Sequence, residues 1–351
     1  MISFIENEKE RQNYTFSEIK KNYEYHFQHC ESYRKFCENG YNFTPEQLKS
    51  FDDLDNIPQI PTAVFKSIDI HSVSKDSCKC CMSSGTKGIV SKIYRDNKTI
   101  DSFVQRIIND AEYFYGITPA NSVIYNLGPS VDEAGDVWIA YAMGFLKNAY
   151  ETYNFMQAQI LDTNRLIEHL KNHNSSKRIV LIGPPILYVK LFYEMEANDI
   201  NLKLPDNSVL ITAGGWKNKD GDIMSRKELN DQIMKYLNIS DSQVFDLYNQ
   251  VESNTAFFEC RYHNKHVPAG FHMIVRDPRT FEKLDDGKEG VITFLDSSSN
   301  SYPAFVVTDD IGYVTNGCDC GLNGQVFHYV RRVETVETKG CAMKLDQKIL
   351  Q

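Results

Sequence analysis

The sequence predicts an α/β fold in which parallel strands alternate with covering helices, followed by a β-rich segment. Three observations predict it. Amphipathic helical stretches alternate with short apolar runs between about residues 100 and 248. Glycine-rich or polar breaks follow those runs, where a parallel sheet exposes its strand ends. Beyond about residue 265 the pattern changes to short strands and turns.

Residues up to about 75 read as helix and irregular linker, with Ile57-Pro58-Gln59-Ile60-Pro61 breaking any helix before Val64-Phe65-Lys66. This stretch, 1–75, reads as a helical cap on the main body. Ile100, Phe103, Val104, Ile107, Ile108, Ala111 and Phe114 recur at helical spacing, and Gly116 ends the pattern. A strand follows over Ser122 to Leu127, then helices near 136–149 and 163–172, a strand from Arg178 to Ile182, a helix near 186–197 and a strand from Val209 to Thr212. Ser225 with Glu228 forms a capping box for a helix reaching about Leu237, and Gln243 to Tyr248 reads as the next strand.

At 351 residues and 42% hydrophobic content, the chain can bury one large core or two closely packed ones. A net charge of -9 with no long Lys/Arg run argues against a nucleic-acid surface. The opening MISFIENEKERQNYTF has neither a signal-peptide core nor a membrane span, so a cytoplasmic protein is expected. Nine cysteines, odd in number and unevenly spaced, read as thiols or metal ligands rather than as a disulfide framework.

The most informative run is Met82-Ser83-Ser84-Gly85-Thr86-Lys87-Gly88, in which small hydroxyl and glycine residues suit a loop around nucleotide phosphates. It lacks P-loop spacing, and such a run is also a common structural turn. Ala213-Gly214-Gly215-Trp216-Lys217 and Tyr248-Asn249-Gln250-Val251-Glu252 fall at strand ends, where ligands bind in parallel sheets. Singly, Gly214-Gly215 reads as a tight turn and Glu252 as a solvated carboxylate. Cys260, His266, Cys318 and Cys320 offer soft thiolate and imidazole donors suited to tetrahedral zinc, with His263 competing for the histidine position. Cys78, Cys80 and Cys81 cannot complete a tetrahedron without a distant partner; with Cys30 and Cys37 they read as buried thiols. His71, His272 and His328 show no pairing that suggests a catalytic base, and the many Tyr and Phe residues build core or line a ligand tunnel.

Taken in order, Ser83 to Gly88, Gly214-Gly215, Tyr248 to Glu252, Thr308-Asp309-Asp310 and Arg332 resemble the adenylate-forming superfamily. Within it, Ile57 to Lys66, Gly214-Gly215-Trp216-Lys217, Glu259-Cys260, Cys318-Asp319-Cys320-Gly321 and Lys339-Gly340-Cys341 resemble the acyl-protein synthetase (LuxE) family, the synthetase component of bacterial long-chain fatty-acid reductases. Departures are Lys87 in place of a threonine, Val251 and Ser253-Asn254 around the glutamate, and Leu322 in place of an arginine.

The resemblance implies an adenylate-forming α/β body of βαβ sheets plus a smaller β-rich subdomain over 76–330, with the usual C-terminal domain reduced to a short tail over 331–351. It also implies a two-step reaction with ATP and Mg²⁺: a carboxylate, by default fatty acyl, becomes an acyl-adenylate, and Cys341 takes the acyl group for a partner acyl reductase. Ser83, Ser84, Gly85, Thr86, Lys87 and Gly88 would hold the triphosphate, and Thr86 with Glu252 the magnesium. Gly214, Gly215 and Tyr248 would bracket the adenine, with Trp216 in the same nucleotide-binding set, and Asp310, or its neighbour Asp309, would take the ribose. Arg332 would lie near the ribose or the α-phosphate, and Lys217 completes the implied catalytic set. The resemblance favours zinc on Cys260, His266, Cys318 and Cys320. A cysteine near the end of the chain can also be an inert thiol, which leaves two alternatives: a standalone ligase delivering to coenzyme A, an acyl carrier protein or an amine, and a catalytically silent nucleotide-binding subunit.

Overall fold

A computed structural model describes residues 3–83, 90–214 and 224–333. The chain divides into two compact bodies. One comprises Met1–Arg106, Gln250–Phe257 and Asn264–Gln351, the other Ile107–Asn249 and Phe258–His263.

The first body is built on an antiparallel sheet. Its strands run in the order Lys265–His266, Gln325–Arg332, Phe305–Asn316, Gly290–Asp296, Phe271–Arg276, and the two-residue strand Ile60–Pro61 joins Phe305–Asn316 in parallel. The short strands expected are present in Ile60–Pro61 and Lys265–His266, but Phe305–Asn316 is longer than expected. The 12-residue strand Phe305–Asn316 is buried at most positions on both faces, so no period-two alternation marks its length in the sequence. Gly312 in that strand is required by close approach, because a Cβ there would stand 2.4 Å from the His328 carbonyl oxygen. The N-terminal helix Glu8–His29 is opened by Asn7, whose side chain accepts from the Glu10 N–H, and it buries Ile19, Tyr23 and His26. Phe305 packs edge-on against Tyr23 of this helix and at a tilt against Tyr33, so helix and sheet share one aromatic core. The prolines act as predicted: Ile60–Pro61 is extended, and only a four-residue helix, Thr62–Phe65, follows. A separate hairpin pairs Cys78–Met82 with Lys92–Asp96.

The second body is the predicted βαβ unit. Its sheet is wholly parallel, in the order Val244–Leu247, Val209–Ala213, Arg178–Gly183, Ser122–Asn126, Glu151–Asn154. The helices Thr163–Lys171, Pro185–Ala197 and Arg226–Leu237 contribute Leu166, Leu191 and Ile233 to one core with Val123, Leu181 and Leu210 of the strands. The Ser225–Glu228 capping box is present, with Ser225 Oγ accepting from the Glu228 N–H. The helix expected near 136–149 is shorter, Trp138–Phe145, and ends in a 3₁₀ turn at Leu146–Asn148. The helix Asn97–Tyr115 begins in the first body and ends in the second, and Gly116 terminates it at φ +64°.

Candidate adenylation and metal sites

In the first body, the Cys78–Met82/Lys92–Asp96 hairpin is closed at its loop end, beyond the Met82–Lys92 pair, by a clasp of two serines. Ser83 N–H donates to the Ser91 carbonyl oxygen at 3.1 Å, and Ser91 N–H donates to Ser83 Oγ at 3.1 Å. Ser83 thus anchors the start of the predicted phosphate loop; Ser84, Gly85, Thr86, Lys87 and Gly88 lie outside the described residues.

Glu252 is 6% exposed in this body. Burial raises its carboxyl above the usual carboxylate range; the Ser91 hydroxyl pulls it down, Asp309 pushes it up, and Lys66 pulls it down. The solvated carboxylate that the sequence alone suggested is therefore a buried one. Its segment is held rigidly. Arg95, with no exposed surface, donates from Nε to Asn254 Oδ1 (3.1 Å) and from one terminal nitrogen to the carbonyls of Val251 (2.6 Å) and Ser253 (3.0 Å) and to the Tyr302 hydroxyl (2.9 Å). From the other side, Asp296 Oδ2 accepts from the Asn254 N–H at 2.8 Å. Ser253 and Asn254, departures from the family pattern, are thus internal fastenings.

Asp309 and Asp310 follow each other on Phe305–Asn316, yet they have different partners. Thr62 Oγ1 donates to Asp309 Oδ1 at 2.8 Å and Lys66 Nζ to Asp309 Oδ2 at 3.1 Å, so both Asp309 oxygens are held by the segment after Ile60–Pro61. Asp310 accepts from the Gln250 side-chain amide on one oxygen. Arg332, directly opposite Asp310 across the strand pair, stands 3.9 Å from each aspartate and is 74% exposed. Three carboxylates, Glu252, Asp309 and Asp310, thus gather with two cations, Lys66 and Arg332. That balance suits a polyphosphate only when a divalent cation accompanies it. Lys66, Thr62, Ser91, Arg95 and Gln250 carried no predicted role. Lys66 closes the Ile57–Lys66 run that carries the family resemblance, and that was its only signal.

His266, Cys318 and Cys320 also lie in the first body, with their ligand atoms within 4.8 Å of one another. His266 comes from the strand Lys265–His266, which pairs with Gln325–Arg332, and the cysteines come from the turn preceding that strand. Cys320 Sγ is 3.3 Å from His266 Nε2, and Asn264 Nδ2 donates to Cys318 Sγ at 3.2 Å. Burial lowers the His266 pKa to about 4, so the ring is neutral at physiological pH, the form that binds metal. Two thiols and a neutral imidazole in this compass fit zinc.

In the second body, Gly214 follows Val209–Ala213 at φ +92°, a conformation that favours glycine, and Tyr248 follows Val244–Leu247 half-buried. Both sit at carboxyl ends of the parallel sheet, and Asn249 beside Tyr248 accepts from the buried Trp138 indole N–H at 3.0 Å. His263 belongs to this body and both its ring nitrogens are engaged, one with Arg226 at 2.8 Å and the other with Asp241 at 2.9 Å. His266 is therefore the histidine placed with Cys318 and Cys320. Cys260 lies in the segment Phe258–His263, six residues before His266 in the chain. The expectation of buried thiols holds for Cys30, Cys37 and Cys81, whereas Cys78 and Cys80 are half-buried. Gly215, Trp216, Lys217 and Cys341 lie outside the described residues. No described helix is long and apolar enough to cross a membrane.

The sequence profile described as "Acyl-protein synthetase, LuxE" matches residues 2–350. The long-chain-fatty-acid–luciferin-component ligase of Aliivibrio fischeri is 33% identical over 331 residues, 93% of this chain and 86% of the relative. The ligase of the same name from Vibrio harveyi is 31% identical over 343 residues, 97% and 89% of the two chains. Among solved structures, 2-hydroxyisobutyryl-CoA ligase in complex with 2-HIB-AMP and CoA matches with a TM-score of 0.72 at 15% identity, over 95% of this chain and 72% of that one. A long-chain-fatty-acid-CoA ligase from Archaeoglobus fulgidus matches with a TM-score of 0.53 at 12% identity, over 76% and 53%. These likenesses establish the fold as that of the adenylate-forming ligases. With the profile running almost end to end and two relatives above 30% identity, the chain belongs to the acyl-protein synthetase family, LuxE.

Proposed function

We propose that the chain activates a carboxylic acid, a long-chain fatty acid in keeping with the names of its relatives, by forming an acyl-adenylate from ATP. A carboxylate oxygen attacks the α-phosphorus, the bond from that phosphorus to the bridging oxygen breaks, and the electron pair leaves with pyrophosphate. The Cys341 thiolate then attacks the acyl carbon, AMP leaves, and the resulting thioester is handed to a protein acceptor, an acyl reductase. Arg332 and Lys217 are assigned to charge stabilisation during activation. Ser83 to Gly88 take the triphosphate, Asp310 the ribose hydroxyls, and Gly214, Gly215, Trp216 and Tyr248 the adenine.

The observation that carries this reading is the buried Glu252, on a firmly fastened backbone segment and beside Ser91, in the same body as Asp310. Asp310 rather than Asp309 is assigned to ribose because Thr62 and Lys66 already occupy both Asp309 oxygens. Glu252, with Thr86, would hold Mg²⁺, which when bound supplies charge neutralisation to the triphosphate. Arg95 and Asp296 keep Glu252 aimed, so no reorganisation is required as charge develops. We assign zinc to His266, Cys318 and Cys320 with Cys260 as the fourth ligand. A four-ligand site is closed, and its role is to fasten the Lys265–His266 strand to the turn before Gln325–Arg332.

Acid-dependent exchange of labelled pyrophosphate into ATP tests the activation step. Exchange with long-chain acids, lost in Glu252→Gln, is expected. No exchange with any carboxylic acid would overturn the reading.

A further inference from the structure

We propose that Lys66 is a catalytic residue of the activation step, its ammonium donating to the α-phosphate and to the oxygen that bridges it to pyrophosphate. This rests on the reading of the site given above. Lys66 has three N–H donors, and among the described residues it gives one of them to Asp309 Oδ2 at 3.1 Å. Its side chain is 28% exposed, so the head is anchored without being enclosed.

Its position follows from the path a nucleotide must take. Ribose on Asp310 and metal on Glu252 fix the two ends of that path, and the α-phosphate is the first group after the ribose. Lys66 binds the carboxylate of Asp309, the chain neighbour of Asp310, and its charge also bears on the Glu252 carboxyl. It is therefore a cation that acts on both ends, through the aspartate beside Asp310 and on the Glu252 carboxyl. Arg332, 74% exposed and 3.9 Å from both aspartates, approaches the pair from outside. Asp309 Oδ2 anchors the ammonium, while Thr62 donates to the other oxygen at 2.8 Å and does not touch the oxygen that Lys66 uses. Negative charge moves from the α-phosphoryl oxygens towards the leaving pyrophosphate as the bond breaks, and an ammonium already in place stabilises it without transferring a proton. Lys66 enters and leaves the step protonated.

The competing reading is structural, with Lys66 only tying the Thr62–Phe65 helix to Phe305–Asn316. Thr62→Val breaks the companion tie to the same aspartate and controls for that. The experiment measures acid-dependent ATP–pyrophosphate exchange, ATP affinity by equilibrium binding, and melting temperature for wild type, Lys66→Met, Lys66→Arg and Thr62→Val, all as full chains. A loss of about a hundredfold in the exchange rate is expected for Lys66→Met, with ATP affinity changed far less and about a tenfold recovery in Lys66→Arg, while Thr62→Val stays within about threefold of wild type. Lys66→Met within about threefold of wild type, or Thr62→Val falling as far as Lys66→Met, would overturn the assignment while leaving the activation reading intact. A wild-type chain that exchanges with no acid would overturn both, and that result is seen before any variant is compared.

Discussion

Replacing Arg95 with methionine is the sharpest structural test of how the site is held. Methionine keeps most of the apolar stem and removes every donor. Four buried acceptors lose their guanidinium: the carbonyls of Val251 and Ser253, Asn254 Oδ1 and the Tyr302 hydroxyl. The guanidinium also stacks over the Tyr302 ring at 5.3 Å, a contact that methionine replaces only in part. A stranded buried acceptor costs about 1–3 kcal/mol. The tyrosine hydroxyl can rotate to another partner, and removing a buried charge recovers part of its desolvation cost, so about 3–5 kcal/mol of net destabilisation is expected. For a body of roughly 200 residues, at about 2–4 °C per kcal/mol, the melting temperature should fall by about 6–20 °C. Circular-dichroism melts of wild type, Arg95→Met and Arg95→Lys measure it. Below its melting transition, Arg95→Met should still show slower pyrophosphate exchange, because Glu252 sits in the segment that Arg95 fastens. A variant that melts within about 2 °C of wild type and exchanges normally would refute the claim that Arg95 pins the Glu252 segment.

Other consequences follow from groups in the first body. Burial raises the Glu252 pKa, so the unfolded chain releases that proton first and stability falls as pH rises from 4.5 through the raised value. Metal-free Glu252→Gln should therefore be at least as stable as wild type at pH 8 while losing adenylation; a clear loss of stability in denaturant melts would contradict this. His26 is fully buried, with Nε2 donating to the Ser299 carbonyl at 3.1 Å and Nδ1 accepting from the Ser72 hydroxyl at 2.7 Å, and burial lowers its pKa to about 3. The unfolded chain takes up that proton below 6.5, so stability should fall with acid between 6.5 and about 3, by about 1 kcal/mol from pH 6.5 to about pH 5.5; His26→Asn should flatten that slope. Protein purified without chelator should carry about one zinc per chain, lost together with thermal stability in Cys320→Ser, and mass spectrometry finding no stoichiometric metal would end the zinc assignment.

The parallel sheet was legible because its signals are local. Ser225 and Glu228 cap one helix, Gly116 ends another, and apolar runs mark the strands Arg178–Gly183 and Val209–Ala213. The antiparallel strands were less so, since Phe305–Asn316 is buried on both faces and shows no alternation. The site residues that went unnoticed depend on long-range pairing. Thr62 and Lys66 meet Asp309 across 247 and 243 residues, and nothing near either end announces the contact. Arg95, in the five-residue strand Lys92–Asp96, looks like a surface cation until the Val251–Asn254 carbonyls close over it. Asp309 and Asp310 are equivalent in sequence, and His263 and His266 nearly so; only their partners separate them.

Intact-protein mass after incubation with ATP, Mg²⁺ and a panel of carboxylic acids tests the central claim most directly, with Cys341→Ser beside the wild type. The account predicts an ATP-dependent adduct equal to the acid less one water, removed by hydroxylamine and absent from Cys341→Ser. An adduct that persists in Cys341→Ser, or pyrophosphate release with no adduct in the wild type, would contradict capture on Cys341.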